Sequence, residues 1–261
     1  MYEKRFVLFL DILGFKKIID ETEKNVEQQN EKIIELIQAL KEMTNIVSRM
    51  PKETSKIVTQ FSDSIVVSFK ENDIKEIFVF LKSIQELTVK LANKNILCRG
   101  AISYGNIFHT DDFVFGPALV DAYLTESEAA VYPRVIFDKS VIEIMKINYT
   151  NNNIKSYGGI RFDSNVESYL KTDLDDKLYV DYFARAAYYF EKKELSEYFD
   201  KLRKNIINGQ KFKSLGVKAK FSWMKNKYNQ LPQDFNNIDK EEELYLKRPD
   251  ILNFVKKFKS I

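Results

Sequence analysis

The chain is short of the residues that build many well-known sites. Among its 261 residues there are one cysteine, Cys98, and one histidine, His109. A single cysteine excludes a framework of internal disulfides and suits a reducing compartment, so we expect a cytoplasmic protein. With so few thiol and imidazole ligands, we expect no zinc site. Cys98 should be a small core residue, and His109, in the polar segment HTDDF, should be exposed to solvent.

Long apolar runs, repeats and phosphate loops are also absent. No apolar run approaches the roughly 20 residues that cross a bilayer, and no signal-peptide pattern opens the chain, so we expect no membrane association. Neither an internal repeat nor a GxxxxGK phosphate loop occurs. The residues present are 44% hydrophobic and 30% charged, which is typical of a globular protein with a sizeable core.

Charge is unevenly distributed along the chain. The net charge is only +3, yet residues 201–261 carry 15 Lys and Arg against 6 Asp and Glu. In that segment, KAKFSWMKNKYNQL interleaves aromatic residues with lysines, a pattern typical either of nucleic-acid contact or of helices whose lysine stems cover apolar surface. Because the apolar residues keep helical spacing, we expect residues 184–261 to form a helical, basic extension that binds no nucleic acid, with Pro232 in a loop.

Strand and helix patterns alternate over the first part of the chain. The apolar run from Phe6 to Leu10 predicts a fully buried strand, and residues 30–50 and 73–93 repeat apolar positions at helical spacing. Between these helices, the runs IVTQF and IVVSF flank the pair Ser62-Asp63, which is a hairpin pattern. A further strand over residues 95–108 completes the order β-α-β-β-α-β. The sequence therefore predicts an α+β fold with the ferredoxin-like split arrangement.

This arrangement predicts that two aspartates lie side by side at one end of the sheet. Asp11 ends a buried strand, where a carboxylate is costly unless it is paired or binds a metal; a helix N-cap is the simpler alternative. In the ferredoxin-like order Asp63 would lie beside Asp11, although 52 positions separate them. Adjacent carboxylates repel unless a cation lies between them, and oxygen ligands favour Mg²⁺ or Mn²⁺. Such a pair suits displacement at phosphorus, although two turn aspartates could also meet by coincidence.

Four motifs carry a resemblance to a known family. They are FLDILGF at 9–15, FSDSIVVSF at 61–69, RGAISYG at 99–105 and FGPALVDAYLTESEA at 115–129. In this order and at these spacings they resemble class III nucleotide cyclases, and within that class chiefly the stand-alone pyrimidine cyclases of Pycsar antiphage systems. The resemblance covers about residues 5–140 and implies a palm-type catalytic domain, which we expect to extend over residues 1–183.

The resemblance implies a reaction, a metal requirement and an assembly. A pyrimidine cyclase converts UTP or CTP to the 3′,5′-cyclic monophosphate and pyrophosphate, and we expect UTP rather than CTP. The product is a second messenger for antiphage defence, read by a downstream effector. Asp11 and Asp63 match the two metal-binding aspartates, and Ile12 matches the position whose backbone carbonyl helps to hold one of two Mn²⁺ or Mg²⁺ ions. The family forms homodimers with shared active sites, so we expect a homodimer.

Departures from the purine cyclases of the family bear on the base. Thr59 and Phe113 stand where the purine enzymes read the base with a lysine and an acid. Neither residue makes the charged contacts that purine edges use in that family, which favours a pyrimidine. Tyr123 could contact the substrate or equally pack within its own helix. The substrate-binding candidates are Phe15, Thr59, Phe61, Phe113 and Tyr123.

A second departure concerns the positive charge that phosphoryl chemistry needs beyond the metals. Val120 and Leu124 stand where the purine enzymes place an asparagine and an arginine on one helix. Arg99, at a strand end, is our candidate for the missing cation, which makes Asp11, Asp63 and Arg99 the predicted catalytic residues. Because that helix arginine is missing and the C-terminal part is basic, a second hypothesis stays open: a catalytically degenerate cyclase-like domain that binds nucleotide or nucleic acid.

Overall fold

Eight strands form one sheet in the part of the chain that the computed structural model describes, which is residues 1–24, 29–47, 50–137, 139–151, 169–237 and 247–261. Helices and strands are both well represented, so the predicted α+β class is confirmed. The strands are β1 Glu3–Ile12, β2 Ile57–Phe61, β3 Ser64–Lys70, β4 Cys98–His109, β5 Val114–Phe115, β6 Val135–Phe137, β7 Leu170–Thr172 and β8 Leu178–Val180.

The helices alternate with the strands over the first part of the described chain and dominate its C-terminal part. Within the described ranges, no helix has the length and apolar character that would let it span a membrane. The α-helices are α1 Phe15–Lys24, α2 Gln29–Thr44, α3 Ile77–Asn93, α4 Pro117–Ala129, α5 Lys139–Asn151, α6 Lys192–Gly209, α7 Leu215–Asn236 and α8 Pro249–Val255. Short 3-10 helices cover Asn45–Val47, Glu71–Glu76 and Ala184–Tyr188.

The strand β1 lies inside the sheet because both of its edges are paired. The order across the sheet is β2-β3-β1-β4-β6-β8-β7, with β5 paired to β4. Both β3 and β4 run antiparallel to β1, whereas β4 and β6 are parallel. All residues from Phe6 to Leu10 are buried, as the apolar run predicts. The hairpin predicted at Ser62-Asp63 is present, since β2 pairs antiparallel with β3 and Ser62 has a positive φ of 55°.

Helix α4 covers one face of the central strands. Its residues Ala118 and Ala122 pack with Val7 and Phe9 of β1 in one buried cluster. The helix can lie this close because it begins after Gly116, whose φ is 145° and whose position leaves no room for a side chain: an added Cβ would lie 2.8 Å from the Cα of a β4 residue. Side chains alternate along a strand, so Asp11 projects on the face that carries Val7 and Phe9.

The described chain divides into two compact units. The first contains Met1–Leu87 and Ile96–Val180, with the whole sheet and helix α4. The second contains Thr88–Asn95 and Asp181–Ile261, with helices α6, α7 and α8. The sequence-based boundary at 183/184 remains a prediction about functional domains.

The second unit is held together by aromatic residues. Tyr198 of α6 is fully buried and donates a hydrogen bond of 2.8 Å to the carbonyl of Tyr182. Pro232 lies within α7, so its predicted loop position is wrong. Leu231 and Phe235, on either side of the proline, are both buried. We infer that this burial outweighs the local cost of proline, which a sequence pattern cannot weigh.

Candidate active site

Asp11 and Asp63 meet at one end of the sheet. Asp11 lies within β1 and pairs in register with Ser64, so the residue after Asp63 is its direct neighbour. The Ser64 hydroxyl donates a 3.1 Å hydrogen bond to Asp11 Oδ1. The Ile12 amide donates to the carbonyl of Asp63 over 3.2 Å, which ties the two backbones together. Asp11 lies in a strand that ends before α1 begins, so the N-cap alternative is wrong.

The surroundings of Asp11, including the neighbouring Asp63, make it costly for Asp11 to carry a negative charge. The pKa of Asp11 rises from its ordinary value of 3.8 to about 6, first because burial removes water and second because Asp63 adds a negative charge and a shared hydrogen bond. The Ser64 hydroxyl and the positive charge of Arg99 oppose this rise. Without a cation, the carboxyl group of Asp11 is half protonated near pH 6. A divalent ion bound beside it would stabilise the ionised form.

The donor set fits a hard cation that shares its coordination with a substrate. Across the described ranges, no three histidine, cysteine or acidic side chains are grouped so that together they could hold a metal ion. Two carboxylates supply fewer ligands than a metal site built from protein groups alone requires. They suit Mg²⁺ or Mn²⁺, because Mg²⁺ usually keeps waters and binds through one or two carboxylates together with substrate phosphates. Ile12 has a buried side chain and can contribute only its backbone.

Arg99 lies beside the aspartate pair. It pairs in register with Asp11 across β1 and β4, and its Nε is 3.8 Å from Asp11 Oδ2. The same Nε contacts Oε1 of Glu126, a residue of α4 whose side chain is almost completely buried. Arg99 itself is one-quarter exposed. The structure therefore places a cation next to the carboxylates and fixes it with a third acid.

Glu126 is the site residue that the sequence analysis missed. It follows Ala118 and Ala122 at four-residue steps along α4, and all three are buried. An acid on the buried stripe of a helix was the available signal, because a buried charge requires a partner. That partner, Arg99, lies 27 positions earlier in the sequence, and only the fold brings the two together.

Thr59 lies on the same face, linked to the one histidine of the chain. The Oγ1 atom of Thr59 is 2.9 Å from His109 Nε2, and His109 Nδ1 is 2.8 Å from Ser68 Oγ. His109 is the last residue of β4 and is buried, so its predicted exposure is wrong. Burial, then the positive charge of Arg5, lower its pKa to about 4, and Asp111 acts in the opposite direction. The imidazole is therefore neutral at pH 7.

Aromatic side chains flank the aspartate pair. Phe9 lies two residues before Asp11, and its ring contacts Phe61 and Tyr123 at centroid distances of 6.4 and 5.5 Å. Both of these outer rings are about half exposed. They are tilted by 40° and 89° from the Phe9 ring and give the site an apolar surface beside the carboxylates, against which a planar ring can pack.

The two remaining substrate-binding candidates lie at the margins. Phe113 is 64% exposed in the turn before β5, where its amide donates to the Thr110 hydroxyl. Phe15 is the first residue of α1 and is partly buried. No described contact joins either side chain to the aspartate pair. Their roles in substrate binding remain predictions.

Comparison with known proteins adds little. No protein-family model and no curated protein matches the chain. Two solved structures, both titled as a bacterial light-regulated adenylyl cyclase, align at 17% identity over 55% of this chain with a TM-score of 0.41. The chain spans 45% of the length of each. So weak a likeness leaves function to be inferred from the residues themselves.

Proposed function

We propose that the chain is a pyrimidine nucleotide cyclase, which converts UTP or CTP to the 3′,5′-cyclic monophosphate and pyrophosphate. The observation that supports this most is the Asp11–Asp63 pair, a partly buried acidic site with the ligand chemistry of Mg²⁺ or Mn²⁺. Two such ions would activate the ribose 3′-hydroxyl and neutralise the triphosphate. The resemblance of the motifs to the palm-type cyclases supplies the reaction.

Arg99 provides the third positive charge in this proposal. Its described contacts with acidic groups run through Nε, to Asp11 and Glu126. In this proposal the terminal nitrogens of the guanidinium donate to a phosphate oxygen. Because Glu126 holds the side chain before substrate arrives, the charge needs little reorganisation during the reaction, which is the condition for effective electrostatic stabilisation.

The base is held by the apolar surface and Thr59. Phe61 and Tyr123 offer exposed ring faces beside Phe9. Neither Thr59 nor Phe113 carries a charge, unlike the base-reading residues of the purine cyclases that the motifs resemble. A pyrimidine ring that stacks on the aromatic surface and meets one hydroxyl group fits this arrangement.

A homodimer with shared active sites is part of the proposal. Large apolar side chains are exposed along α4, the β2–β3 hairpin and the segment before α4, which is unusual for a surface without a partner. They are Phe61, Phe113, Phe115, Val120, Tyr123 and Leu124. A second chain that covered this surface would also bring further groups to each site. We further propose that the product is a second messenger in antiphage defence, read by a separate effector.

Pyrophosphate release tests the proposed reaction. With UTP or CTP and Mn²⁺, Asp63→Ala should lose activity by at least about a hundredfold, because one of the two carboxylates is removed. Asp200→Ala is the matched control, since Asp200 is an exposed aspartate of α6 outside the site. Full activity of a folded Asp63→Ala protein would contradict the proposal.

A non-catalytic nucleotide- or nucleic-acid-binding domain is the second candidate. Arg99 is already paired with two acids, and the C-terminal segment has a surplus of basic residues. This candidate predicts oligonucleotide binding that weakens with salt and with loss of Lys218, Lys220 and Lys225. A fluorescence titration at low salt that shows no binding would exclude it.

A further inference from the structure

Four polar side chains form a chain of hydrogen bonds that ends at the proposed base site. Arg5 Nη1 lies 3.4 Å from Ser68 Oγ, Ser68 Oγ lies 2.8 Å from His109 Nδ1, and His109 Nε2 lies 2.9 Å from Thr59 Oγ1. The first three residues are buried, and Thr59 is partly exposed. The path thus leads from the interior to an accessible hydroxyl.

One arrangement of the hydrogens along this path gives every buried donor an acceptor. A guanidinium group donates and never accepts, so Ser68 Oγ accepts from Arg5. Ser68 is fully buried, and within the described residues the acceptor available to its own hydrogen is His109 Nδ1. A neutral imidazole with an accepting Nδ1 carries its hydrogen on Nε2. His109 therefore donates to Thr59 Oγ1.

Thr59 is left as a hydrogen-bond donor. Its oxygen accepts from His109, and the described part of the chain offers no acceptor for its hydrogen. Thr59 pairs with Val66, two strand positions from the row of Ser64 and Asp11. At about 3.3 Å per residue the two rows are roughly 7 Å apart, which is comparable with the span from the 5′ carbon of a nucleoside to the far edge of a pyrimidine.

We propose that Thr59 donates a hydrogen bond to the C4 carbonyl of uracil, and that His109 is the positioning residue that makes Thr59 a donor. Cytosine has an amino group at the same ring position, so it would bring a second donor against the hydroxyl. A site built to donate discriminates against a group that cannot accept. The inference rests on the proposed function for its location and selects UTP over CTP.

The hydrogen arrangement can be tested without any nucleotide. His109 is the only histidine of the chain, so protein labelled with ¹⁵N-histidine gives a single pair of imidazole nitrogen resonances. At pH 7 we expect the neutral form protonated on Nε2. Ser68→Ala should shift signal toward the form protonated on Nδ1, because Nδ1 loses its donor. Predominance of the Nδ1-protonated form in the wild-type protein would overturn the inference.

Base selection is tested by equilibrium binding of UTP and CTP to the full chain with Mn²⁺, measured by calorimetry with the 3′-deoxy forms of both nucleotides, which lack the attacking hydroxyl and cannot cyclise. We expect the wild-type protein to bind UTP about tenfold more tightly than CTP, the effect of roughly one hydrogen bond. Thr59→Val, which keeps the shape of the side chain but removes the hydroxyl, should reduce this ratio to near one. Thr59→Ser should keep the preference, since it retains the donor.

Two serine variants separate positioning from general stability. Ser68→Ala should lower the ratio of UTP affinity to CTP affinity, although Ser68 is buried away from the proposed base site. Ser103→Ala, the control, removes another buried serine on the same face, which donates to the Ala118 carbonyl over 2.6 Å, and should keep the ratio. Equal affinity for UTP and CTP, no binding of either, or an unchanged ratio in Thr59→Val would overturn the inference. UTP-selective binding without product formation would support the inference and contradict the proposed reaction.

Discussion

Replacing Asp63 with asparagine should make the metal-free protein more stable, even though it removes a proposed functional group. The pKa of Asp11 rises from 3.8 to about 6 in the folded chain, mainly through burial and secondly through Asp63. At about 1.4 kcal/mol per pH unit, the rise corresponds to about 3 kcal/mol, and water at the one-fifth exposed side chain screens part of it. The smaller share that Asp63 contributes leaves a gain of about 1 kcal/mol for Asp63→Asn.

The pH dependence of this gain in stability follows from the upward shift of the Asp11 pKa. Between pH 3.8 and about 6, folded Asp11 holds a proton that the unfolded chain has released. The free energy of unfolding of the wild-type protein therefore falls as pH rises through this window and stays low above it. The variant should match the wild type near pH 4 and exceed it at pH 8, by roughly 2–4 °C in Tm for a domain of this size.

A divalent cation should make the wild-type protein more stable than Asp63→Asn, which reverses the order expected without metal. At a concentration a hundred times its Kd, a ligand of the native state adds about 2.7 kcal/mol of stability. With Mn²⁺ at pH 8, the wild-type protein should therefore melt above Asp63→Asn, whereas with a chelator it should melt below. Thermal unfolding followed by circular dichroism measures both, with Asp200→Asn as the control. A variant that is less stable than the wild type in chelator, or that gains as much from Mn²⁺, would refute the reasoning.

Three further outcomes follow from the geometry. Product formation should fall as pH drops through about 6, the pKa of Asp11, and a bound cation should move that midpoint lower; a flat initial-rate profile between pH 8 and 5 would contradict this. Glu126→Gln should cost about 2 kcal/mol in a denaturant titration, because Arg99 loses a buried partner; an unchanged midpoint would argue against the ion pair. Gly100→Ala should destabilise by about 3 kcal/mol, since a Cβ would lie 2.6 Å from a β1 carbonyl oxygen. Gly216→Ala is its control, with open space around the Cβ, and should be neutral or slightly stabilising.

Local patterns were sufficient to predict the elements around the aspartate pair. The apolar run from Phe6 to Leu10 predicts a buried strand because a strand with both faces covered shows no alternation. The hairpin followed from two β-rich runs two residues apart. Once these elements were placed, the proximity of Asp11 and Asp63 required only the order in which the strands pair.

The errors arose where distant residues decide the environment. His109 lies in a polar stretch of sequence, yet Ser68 and Thr59, 41 and 50 positions away, give its ring two hydrogen bonds in the interior. Glu126 was overlooked because it lies on helix α4, whereas its partner, Arg99, comes from strand β4. Side chains that meet across the sheet leave no periodic trace in the sequence, so patterns alone cannot predict them.

The most direct measurement of the central claim is incubation of the protein with ATP, GTP, CTP and UTP separately, each with Mn²⁺, followed by chromatographic resolution of the products. The proposed function predicts a 3′,5′-cyclic monophosphate and an equal amount of pyrophosphate from a pyrimidine triphosphate, with UTP the better substrate. Failure of all four nucleotides to give a cyclic product, or a purine product only, would contradict it.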